Sequence, residues 1–376
     1  MRSMRQFCVV ASSFVCALVA LTVHLEALEK ADEASLAASI ILPEGWSFSV
    51  YASGLAGPQR MQLAPNGDML VSMPASGVIA RLAADRNGDG RADQIAVLAE
   101  GLRSPDGLLL DKDQLYVAEE HQITRFRYDG ASLADPQTIA KDLPAGGELT
   151  ARSLQRGPNG RIYVSVSAGC NACEEKHPLA ASLAVLESDG NLTVIARGLR
   201  NAMGFDWRPT DGMLYTLDLG RKGLGDVIPP DELNLILEGE HYGWPYHYGL
   251  NVKDPEWGDR LPEMMDPVQP AYIFDAHAAP LAIRFLDHTN DARLKAAALV
   301  AKHGSDNPAV PAGYEIVSLH WHDDGRIEEQ PFMSGCLRER QILCRPLDLI
   351  EAPDGTLFVS DDHTGAIYRL AFAPKT

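Results

Sequence analysis

The sequence predicts an all-β fold, a six-bladed β-propeller, from three observations. A turn phrase of proline, then asparagine or aspartate, then glycine recurs along the chain, each time just before a β-rich run. Each run is followed by a second strand-like run, so that the unit repeats roughly every 40 to 60 residues, a spacing typical of propeller blades. No long amphipathic helical pattern is present beyond residue 35. A two-sheet β-sandwich is the alternative, and the blade-length repeat argues against it.

The turn phrase predicts where each strand begins. Clear copies are found at 65–67, 158–160 and 353–355, with looser copies at 209–212 and 112–113. Asn-Gly and Asp-Gly supply the positive φ angles that tight hairpin turns require. The residues that follow are β-branched, aromatic and aliphatic, as strands prefer.

Six blades account for most of the chain. They are predicted near 64–82, 107–128, 154–196, 204–237, 281–322 and 347–372. A blade buries its faces only against its neighbours, so the set must close into a ring. We expect a strand near 42–52 to join the last blade and close it.

The N-terminus has the pattern of an export signal. Arg2 and Arg5 precede an apolar run at 8–23, which is short for a membrane span of about 20 residues. We therefore expect 1–35 to be a signal peptide or an N-terminal anchor with its linker, and 36–376 to be the propeller. A cleaved signal would make the protein periplasmic or secreted, and an uncleaved anchor would hold it at a membrane.

The net charge of -18 limits the classes of partner. Binding to nucleic acid or to an anionic membrane surface needs a basic face, so the charge argues against both. A strongly acidic protein is compatible with bound cations such as calcium.

The four cysteines beyond the leader form two close pairs, Cys170 with Cys173 and Cys336 with Cys344. In an oxidising compartment, such pairs most simply indicate disulfides. Glu174 stands where a haem attachment site would need histidine. A zinc site made of all four cysteines is the alternative.

An acidic loop between the predicted strands resembles part of a calcium-binding loop. Side-chain oxygens occupy its first, third, fifth and ninth positions: Asp85, Asn87, Asp89 and Asp93. Gly90 fills the sharp-turn sixth position, but the twelfth is Ala96 and not the bidentate glutamate. Two interpretations stay open, a partial structural calcium site and a polar hairpin.

Several ordered segments resemble the soluble quinoprotein glucose/sorbosone dehydrogenases, especially the sorbosone branch. The specific matches are 198–205 (GLRNAMGF), 225–234 and 241–245 (HYGWP), and the weaker ones are 277–280, 302–305 and 345–348. The resemblance covers most of the chain beyond the leader. It implies pyrroloquinoline quinone (PQQ) and calcium as cofactors, a small sugar or aldehyde as substrate, and an external electron acceptor.

The resemblance also implies a role for individual residues. Arginine suits the carboxylates of the quinone because its guanidinium binds them in a bidentate manner, and Arg200 would in addition stabilise negative charge during hydride transfer. The implied cofactor contacts are Arg200, Asn201, His277, Lys302, His303 and Arg345. The alternative for each is a surface arginine or a loop histidine without a cofactor role.

Two calcium ions are implied as well. The catalytic ion would be held by backbone carbonyls near Gly220 and Arg221, where it would act as a Lewis acid. A structural ion would take Asp231, Glu232 and the carbonyl of Tyr242, because hard cations prefer oxygen ligands. The alternative is that the two acids form an ordinary acidic loop.

The chain departs from the family at the catalytic base. The family places a histidine three residues before an arginine, and here Leu149 precedes Arg152 at that spacing. An alternative register puts Glu148 at the position, which would make it the general base. Otherwise His121 or His177 serves, or the oxidation has been lost.

A second departure is Asp306, which stands where the sorbosone branch usually offers tryptophan. Three functions therefore remain open: a PQQ- and calcium-dependent dehydrogenase, a non-catalytic exported propeller that binds a glycan or protein, and a calcium-dependent hydrolase of the lactonase type. The fold alone does not separate them. Arginines converging on a flat cofactor slot would favour the dehydrogenase. A closed or apolar channel mouth would favour the non-catalytic propeller. Several carboxylates and amides around one central ion would favour the hydrolase.

Overall fold

The computed structural model of the protein describes residues 33–305 and 310–374. Most of the predicted leader and Asp306 lie outside these residues. A helix at 33–39 belongs to a unit that ends at Ile40, and every strand belongs to a second unit that begins at Ile41. Within the described part of the chain, no helix is long and apolar enough to cross a membrane.

The strands form six four-stranded antiparallel sheets, and the predicted six-bladed propeller is confirmed. The first strand is β1 (Trp46–Ala52). Blade 1 contains β2 (Met61–Leu63), β3 (Met69–Met73), β4 (Val78–Leu82) and β5 (Ile95–Ala99). Blade 2 contains β6 (Leu108–Asp111), β7 (Gln114–Ala118), β8 (Ile123–Tyr128) and β9 (Leu133–Ala140). Blade 3 contains β10 (Leu154–Arg156), β11 (Ile162–Val166), β12 (Ser182–Leu186) and β13 (Leu192–Arg197).

The second half of the ring carries two small insertions. Blade 4 contains β14 (Phe205–Trp207), β15 (Leu214–Asp218), β16 (Pro230–Leu235) and, after a hairpin of β17 (His247–Tyr248) and β18 (Val252–Lys253), β19 (Tyr272–Ala276). Blade 5 contains β20 (Pro280–Phe285), β21 (Ala298–Lys302), β22 (Glu315–Trp321) and β23 (Ile327–Met333). A hairpin of β24 (Leu337–Arg338) and β25 (Gln341–Ile342) leads to blade 6, with β26 (Pro346–Glu351), β27 (Leu357–Asp361) and β28 (Ala366–Phe372). Single-turn 3₁₀ helices lie at Pro74–Ser76, Gly258–Arg260 and Ala292–Leu294.

The first strand closes the ring. β1 pairs antiparallel with β28, so that blade 6 combines the two ends of the propeller chain. The Trp46 indole donates to Asp291 Oδ2 at 2.8 Å, and its ring packs against Phe332. The expected closing strand is therefore confirmed.

The predicted turns have the expected backbone geometry. Gly67, Gly160 and Gly355 adopt φ angles of 85°, 80° and 83°, a region that glycine enters without steric cost. In the first turn, the amide of Asp68 donates to Asn66 Oδ1 at 3.1 Å, which stabilises the turn.

The hydrophobic core lies between the blades. The second strands of five blades, β3, β11, β15, β21 and β27, are buried over their whole length. Leu70 and Ile79 of blade 1, for example, pack with Leu115 and Val117 of blade 2. Each fully buried aliphatic side chain contributes about 1.5–3 kcal/mol, so each blade depends on its neighbours for stability.

Arg60 connects segments of several blades. Its guanidinium donates to the carbonyls of Met203 and Leu281 at 3.2 Å each, and it pairs with Asp106 at 3.4 Å and Asp348 at 3.3 Å. Arg60 lines a cavity of about 400 Å³. Met203 and Leu281 line a second cavity of about 600 Å³, which is also lined by most of the predicted cofactor contacts.

Candidate active site

The larger cavity combines cationic and polar walls with an apolar surface. Its polar groups come mainly from loops that lead into or out of the blade strands: Arg200, Asn201, Lys222, Asp226, Asp231, His277, His303, Ser305 and Arg345. Its larger apolar side chains are Leu149, Met203, Leu219 and Leu281. A volume of about 600 Å³ lies within the usual range of small-molecule sites, about 300–1,000 Å³.

Arg200 is held rigidly in the wall, with 4% of its surface exposed. Its Nε donates to the Asn171 carbonyl at 3.0 Å, and its Nη2 donates to Asn171 Oδ1 at 3.1 Å. Its Nη1 donates to the Leu219 carbonyl at 3.3 Å. Burial lowers the pKa of Arg200, and the nearby charge of Asp218 opposes this shift. The cavity therefore has a fixed cation in its wall.

Asp218, at the end of β15, fixes the backbone that carries this cation. Its Oδ2 accepts the amide of Arg200 at 2.9 Å and its Oδ1 accepts the amide of Asn201 at 2.6 Å. Burial raises the pKa of Asp218 to about 7. The Asn201 side chain in turn accepts the Ser167 hydroxyl at 2.6 Å. Sequence reasoning missed Asp218, although an acid that ends a buried strand was a signal worth following.

His303 forms a dyad with Asp362. The imidazole Nε2 lies 2.8 Å from Asp362 Oδ1, and His303 lines the cavity. Burial pushes the Asp362 pKa upward, but the hydrogen bond and charge of His303, with the charge of Arg345, lower it overall. Since the ionised carboxylate only accepts, Nε2 carries the proton and Nδ1 is the basic nitrogen. Asp362 was not predicted from the sequence.

Arg345 is fixed beside this dyad. Its Nε donates to the His303 carbonyl at 3.2 Å, and its Nη2 donates to the Gly304 carbonyl at 2.6 Å. Its guanidinium also lies 5.7 Å from the centre of the Tyr314 ring. The second predicted arginine thus lines the same cavity as the first.

His277 and Asp231 also line the cavity. His277 has a φ of 62°, and its Nε2 lies 2.9 Å from the Gly225 carbonyl. The two carboxylate oxygens of Asp231 accept the amides of Gly220 and Ala279, each at 2.8 Å. Burial raises the pKa of Asp231 to about 6. The structure therefore brings Gly220, Asp231 and His277 together.

Lys302 lies apart from the cavity. It is the last residue of β21, is 2% exposed, and its Nζ donates to Glu329 at 2.6 Å and Glu315 at 3.2 Å. The ammonium also lies 5.7 Å from the centre of the Phe274 ring. Because successive strand residues face opposite sides, Lys302 is directed into blade 5, and only the following His303 reaches the cavity.

The predicted base position is occupied by an apolar side chain. Leu149 lines the cavity, whereas Glu148 is exposed and does not line it. The Glu148 amide donates to the Gly169 carbonyl at 3.0 Å, which anchors the backbone of this segment. Neither His121 nor His177 lines the cavity. The three bases offered by the sequence are therefore all placed outside the cavity wall.

The two adjacent acids predicted to share a structural ion have different surroundings. Glu232 does not line the cavity, and it accepts the Gly249 amide at 2.6 Å and the Asn234 side-chain amide at 3.1 Å. Burial, together with the nearby charge of Asp218, raises the pKa of Glu232 to about 8. Neighbouring residues of β16 point to opposite faces, so Asp231 and Glu232 have different hydrogen-bond partners, and the ion that they would share stays a prediction.

Arg221 and Tyr242 were also predicted as calcium ligands, each through its backbone carbonyl and not through its side chain. The Arg221 guanidinium is buried and pairs with Asp254, with Nε 2.6 Å from Oδ2. The Tyr242 hydroxyl donates to the Leu235 carbonyl at 2.8 Å and accepts the Leu237 amide at 2.7 Å. These contacts fix both residues at the edge of blade 4.

The acidic loop lies between β4 and β5 and contributes nothing to the cavity lining. Asp85 accepts the amides of Gly88 at 2.7 Å and Gly90 at 2.8 Å. Asn87 accepts the amide of Asp89 at 2.8 Å, and Asp93 accepts the amide of Arg86 at 3.3 Å. The loop therefore groups its oxygens around its own backbone, and its calcium role stays a prediction.

Both predicted disulfides are present, Cys170–Cys173 and Cys336–Cys344. The alternative of a four-cysteine zinc site is therefore wrong. Within 33–305 and 310–374, one group of three metal-ligating side chains lies close together: Cys170, Cys173 and Glu175. Its two cysteines form the Cys170–Cys173 disulfide.

Comparisons with known proteins agree with this architecture. A family model described as glucose/sorbosone dehydrogenase matches residues 110–369. An uncharacterised protein of Borreliella burgdorferi is 33% identical over 219 residues, which is 57% of this chain and 58% of that protein, so the match spans less than two thirds of the relative. A pyrroloquinoline quinone-dependent sugar dehydrogenase of Hypocrea jecorina is 25% identical over 401 residues, covering 88% of this chain and 89% of that protein.

A solved structure of a Trichoderma reesei protein from carbohydrate-active enzyme family AA12 has the same fold. It superposes with a TM-score of 0.74 at 20% identity, over 89% of this chain and 98% of that chain. At 20% identity, this similarity shows a shared propeller fold and nothing more.

Proposed function

Because the chain belongs to the glucose/sorbosone dehydrogenase family, we propose that it oxidises a sugar, or a related aldehyde or alcohol, with PQQ and calcium as cofactors. The observation that carries this proposal is the convergence of Arg200 and Arg345, with His277 and His303, on one cavity. Converging arginines, in a flat cofactor slot, were the feature expected of a dehydrogenase as opposed to a lactonase-type hydrolase, and the convergence is the part of that expectation that supports the proposal.

The residues of the cavity fit the chemistry of the quinone. PQQ is a planar molecule that carries several carboxylates, and arginine is the preferred partner of carboxylates in buried sites. Leu149, Met203, Leu219 and Leu281 offer an apolar surface to its rings. When bound, the quinone would supply the acceptor for the hydride that leaves the substrate carbon.

We assign the general base to His303. The substrate hydroxyl must lose a proton as its carbon loses hydride. His303 lines the cavity and its Nε2 is held by Asp362, which leaves Nδ1 to accept that proton. Asp362 orients the imidazole and stabilises the imidazolium that forms. This assignment replaces Glu148, and it accounts for the apolar Leu149 at the position where the family places its histidine. Arg200 stabilises the negative charge that develops opposite the substrate.

We propose that calcium binds at two places. The carbonyls of Gly220 and Arg221 would bind one ion; Gly220 lines the cavity, and its amide donates to Asp231 Oδ1 at 2.8 Å. A second ion would be bound by Glu232 and the carbonyl of Tyr242. Two observations support this ion: the pKa of Glu232 is raised to about 8 by burial and by the adjacent Asp218, and the buried Asn234 Oδ1 has no hydrogen-bond partner among the described residues. A bound cation would compensate the buried negative charge.

We further propose that the protein is exported to the periplasm or secreted and passes its electrons to an external acceptor. The support is the N-terminal sequence pattern and the pair of disulfides, which persist in oxidising compartments. The relation to the sorbosone branch rests on the sequence matches alone.

A non-catalytic propeller is the second candidate, and Leu149 is the observation that favours it. A leucine in place of the family histidine removes one proton acceptor from the cavity. If His303 does not replace that acceptor, the cavity would bind its ligand without turnover.

Reconstitution tests the proposal. PQQ and calcium are added to the purified protein, and binding is measured by absorbance while dye reduction is followed with a panel of aldoses and aldehydes. We expect saturable binding at micromolar PQQ and turnover of at least one substrate. Absence of binding would refute the dehydrogenase, and binding without turnover would select the non-catalytic propeller.

Two matched variants test the base. His303→Gln should lower turnover by about 10²–10⁴-fold, the usual contribution of a general base, while PQQ still binds. Glu148→Gln should behave like the wild type, because Glu148 is exposed and absent from the cavity lining. The opposite pattern would return the role of base to Glu148.

A further inference from the structure

Asn171 is the main contact of Arg200 and joins three segments of the cavity wall. Its carbonyl accepts Arg200 Nε at 3.0 Å and the Trp244 indole at 3.3 Å. Its side-chain oxygen accepts Arg200 Nη2 at 3.1 Å and the Lys222 amide at 2.8 Å. Its side-chain amide donates to the Lys222 carbonyl at 2.9 Å. One residue therefore positions a cation of the cavity and the backbone of the loop that follows β15.

Asn171 lies inside the ring closed by the Cys170–Cys173 disulfide. The two cysteines pack with Leu149 and Trp244 at the edge of the cavity. A cross-link over so few residues restricts the backbone that carries Asn171, and this restriction keeps its carbonyl and side chain directed at the same partners.

The chain just before the disulfide is anchored as well. The Gly169 amide donates to Glu175 Oε1 at 2.5 Å, and the Gly169 carbonyl accepts the Glu148 amide at 3.0 Å. The loop from 169 to 175 thus connects the cysteine pair both to Arg200 and to the segment that supplies Leu149.

We propose that Asn171 is a positioning residue for Arg200 and that the Cys170–Cys173 disulfide holds it in place. Opening the disulfide releases the Asn171 backbone, so that the Arg200 guanidinium loses its fixed orientation and the loop at Lys222 loses two hydrogen bonds. The consequence for cofactor affinity rests on the proposed function, whereas the consequence for the wall itself does not. The cavity is thus fully organised only where the disulfide persists.

The redox step is a two-electron exchange with a dithiol. The reductant's two thiols become one disulfide, the Cys170–Cys173 bond breaks, and the two electrons and two protons appear as two cysteine thiols. Oxidation of the pair reverses the step and restores the ring around Asn171.

Hydrogen exchange of the cofactor-free protein tests the positioning directly. We compare the wild type with Asn171→Ala, which keeps the disulfide, and with Cys170→Ser/Cys173→Ser, which lacks it. Amides of 219–226 should exchange about tenfold faster in both variants, because the Lys222 amide loses its acceptor. Amides of β7 in blade 2 serve as the control and should be unchanged. Unaltered exchange at 219–226 in both variants would overturn the proposal.

A titration with PQQ tests the effect on the site. Both variants should bind PQQ about tenfold more weakly than the wild type, the usual effect of removing a residue that orients a ligand-binding group. The wild type reduced with dithiothreitol should bind PQQ more weakly to a similar extent, and the dithiol is removed before PQQ is added because it would also reduce the quinone. Reduction should weaken binding by Asn171→Ala by a smaller factor than binding by the wild type, because only the backbone carbonyl contacts of residue 171 are left for the disulfide to hold.

The cysteine double variant is the matched control for reduction, since Cys336–Cys344 is the other disulfide within the described residues and would account for a remaining response to the dithiol. Equal affinities for the wild type and Asn171→Ala would overturn the proposal even if exchange had changed. If the wild type bound no PQQ, the proposed function would fail, and the exchange measurement alone would decide on the positioning role.

Discussion

Replacing Asp218 with alanine should lower the free energy of unfolding by about 3 kcal/mol. The carboxylate accepts the amide of Asn201 at 2.6 Å and the amide of Arg200 at 2.9 Å, and all three residues are buried. Each buried donor left without an acceptor costs about 1–3 kcal/mol. At about 2 °C per kcal/mol for a domain of this size, the melting temperature should fall by about 6 °C.

Asparagine at the same position should behave differently as the pH rises. Burial raises the pKa of Asp218 from its ordinary value of 3.8 to about 7. A folded-state pKa above the unfolded one means that the contribution of the carboxyl to stability is complete below about pH 4 and is lost as the pH rises through about 7. Asparagine does not titrate, so Asp218→Asn should gain stability relative to the wild type between about pH 5 and about pH 8.

Chemical denaturation in the presence of a chelator measures both effects, at about pH 5 and about pH 8. The control is Asp211→Ala, which removes an exposed acid that pairs with Arg208 and accepts the Met213 amide at 3.1 Å. An exposed pair of this kind contributes less than about 1 kcal/mol. If Asp218→Ala cost no more than Asp211→Ala, the reasoning about buried donors at this site would be refuted.

Three further predictions concern the cavity and its surroundings. Leu149→His places an imidazole where the family has its base, and it should raise turnover if proton removal limits the rate; unchanged kinetics would show that His303 already suffices. Lys302→Met should lower the melting temperature, since Glu315 and Glu329 lose their cation. It should leave PQQ affinity within about twofold of the wild type, because Lys302 is outside the cavity. A larger loss of affinity would make Lys302 a cofactor contact. If the acidic loop binds calcium, calorimetry should find one fewer ion in Asp89→Ala than in the wild type, and equal stoichiometry would assign the loop as a polar hairpin.

The fold was predictable because its signals are local. A Pro-Asn-Gly turn such as that ending at Gly67 specifies its own backbone geometry, whatever surrounds it. The repetition of that signal at blade length then predicts the ring, and the ring requires a closing strand, which β1 supplies.

The site was harder to predict for two reasons. Its residues have partners that are distant in sequence, and successive residues of a strand point to opposite faces of the sheet. Asp362 follows His303 by 59 residues, and only the packing of blade 5 on blade 6 brings them together. Lys302 and His303 are adjacent in sequence, but Lys302 forms a buried ion pair whereas His303 lines the cavity. The same alternation gives Asp231 and Glu232 different hydrogen-bond partners, although the two acids are adjacent in sequence.

The pairing of β1 with β28 has a consequence for the engineering of this chain. Trp46 lies opposite Phe372, and the Ala373 amide donates to the Gly45 carbonyl at 2.8 Å. A short linker between these two points, with new termini cut into an exposed hairpin elsewhere, would give a circular permutant in which every blade keeps its four strands. In such a permutant blade 6 would be made from consecutive segments, so its assembly would no longer wait for the last-synthesised strand to meet the first.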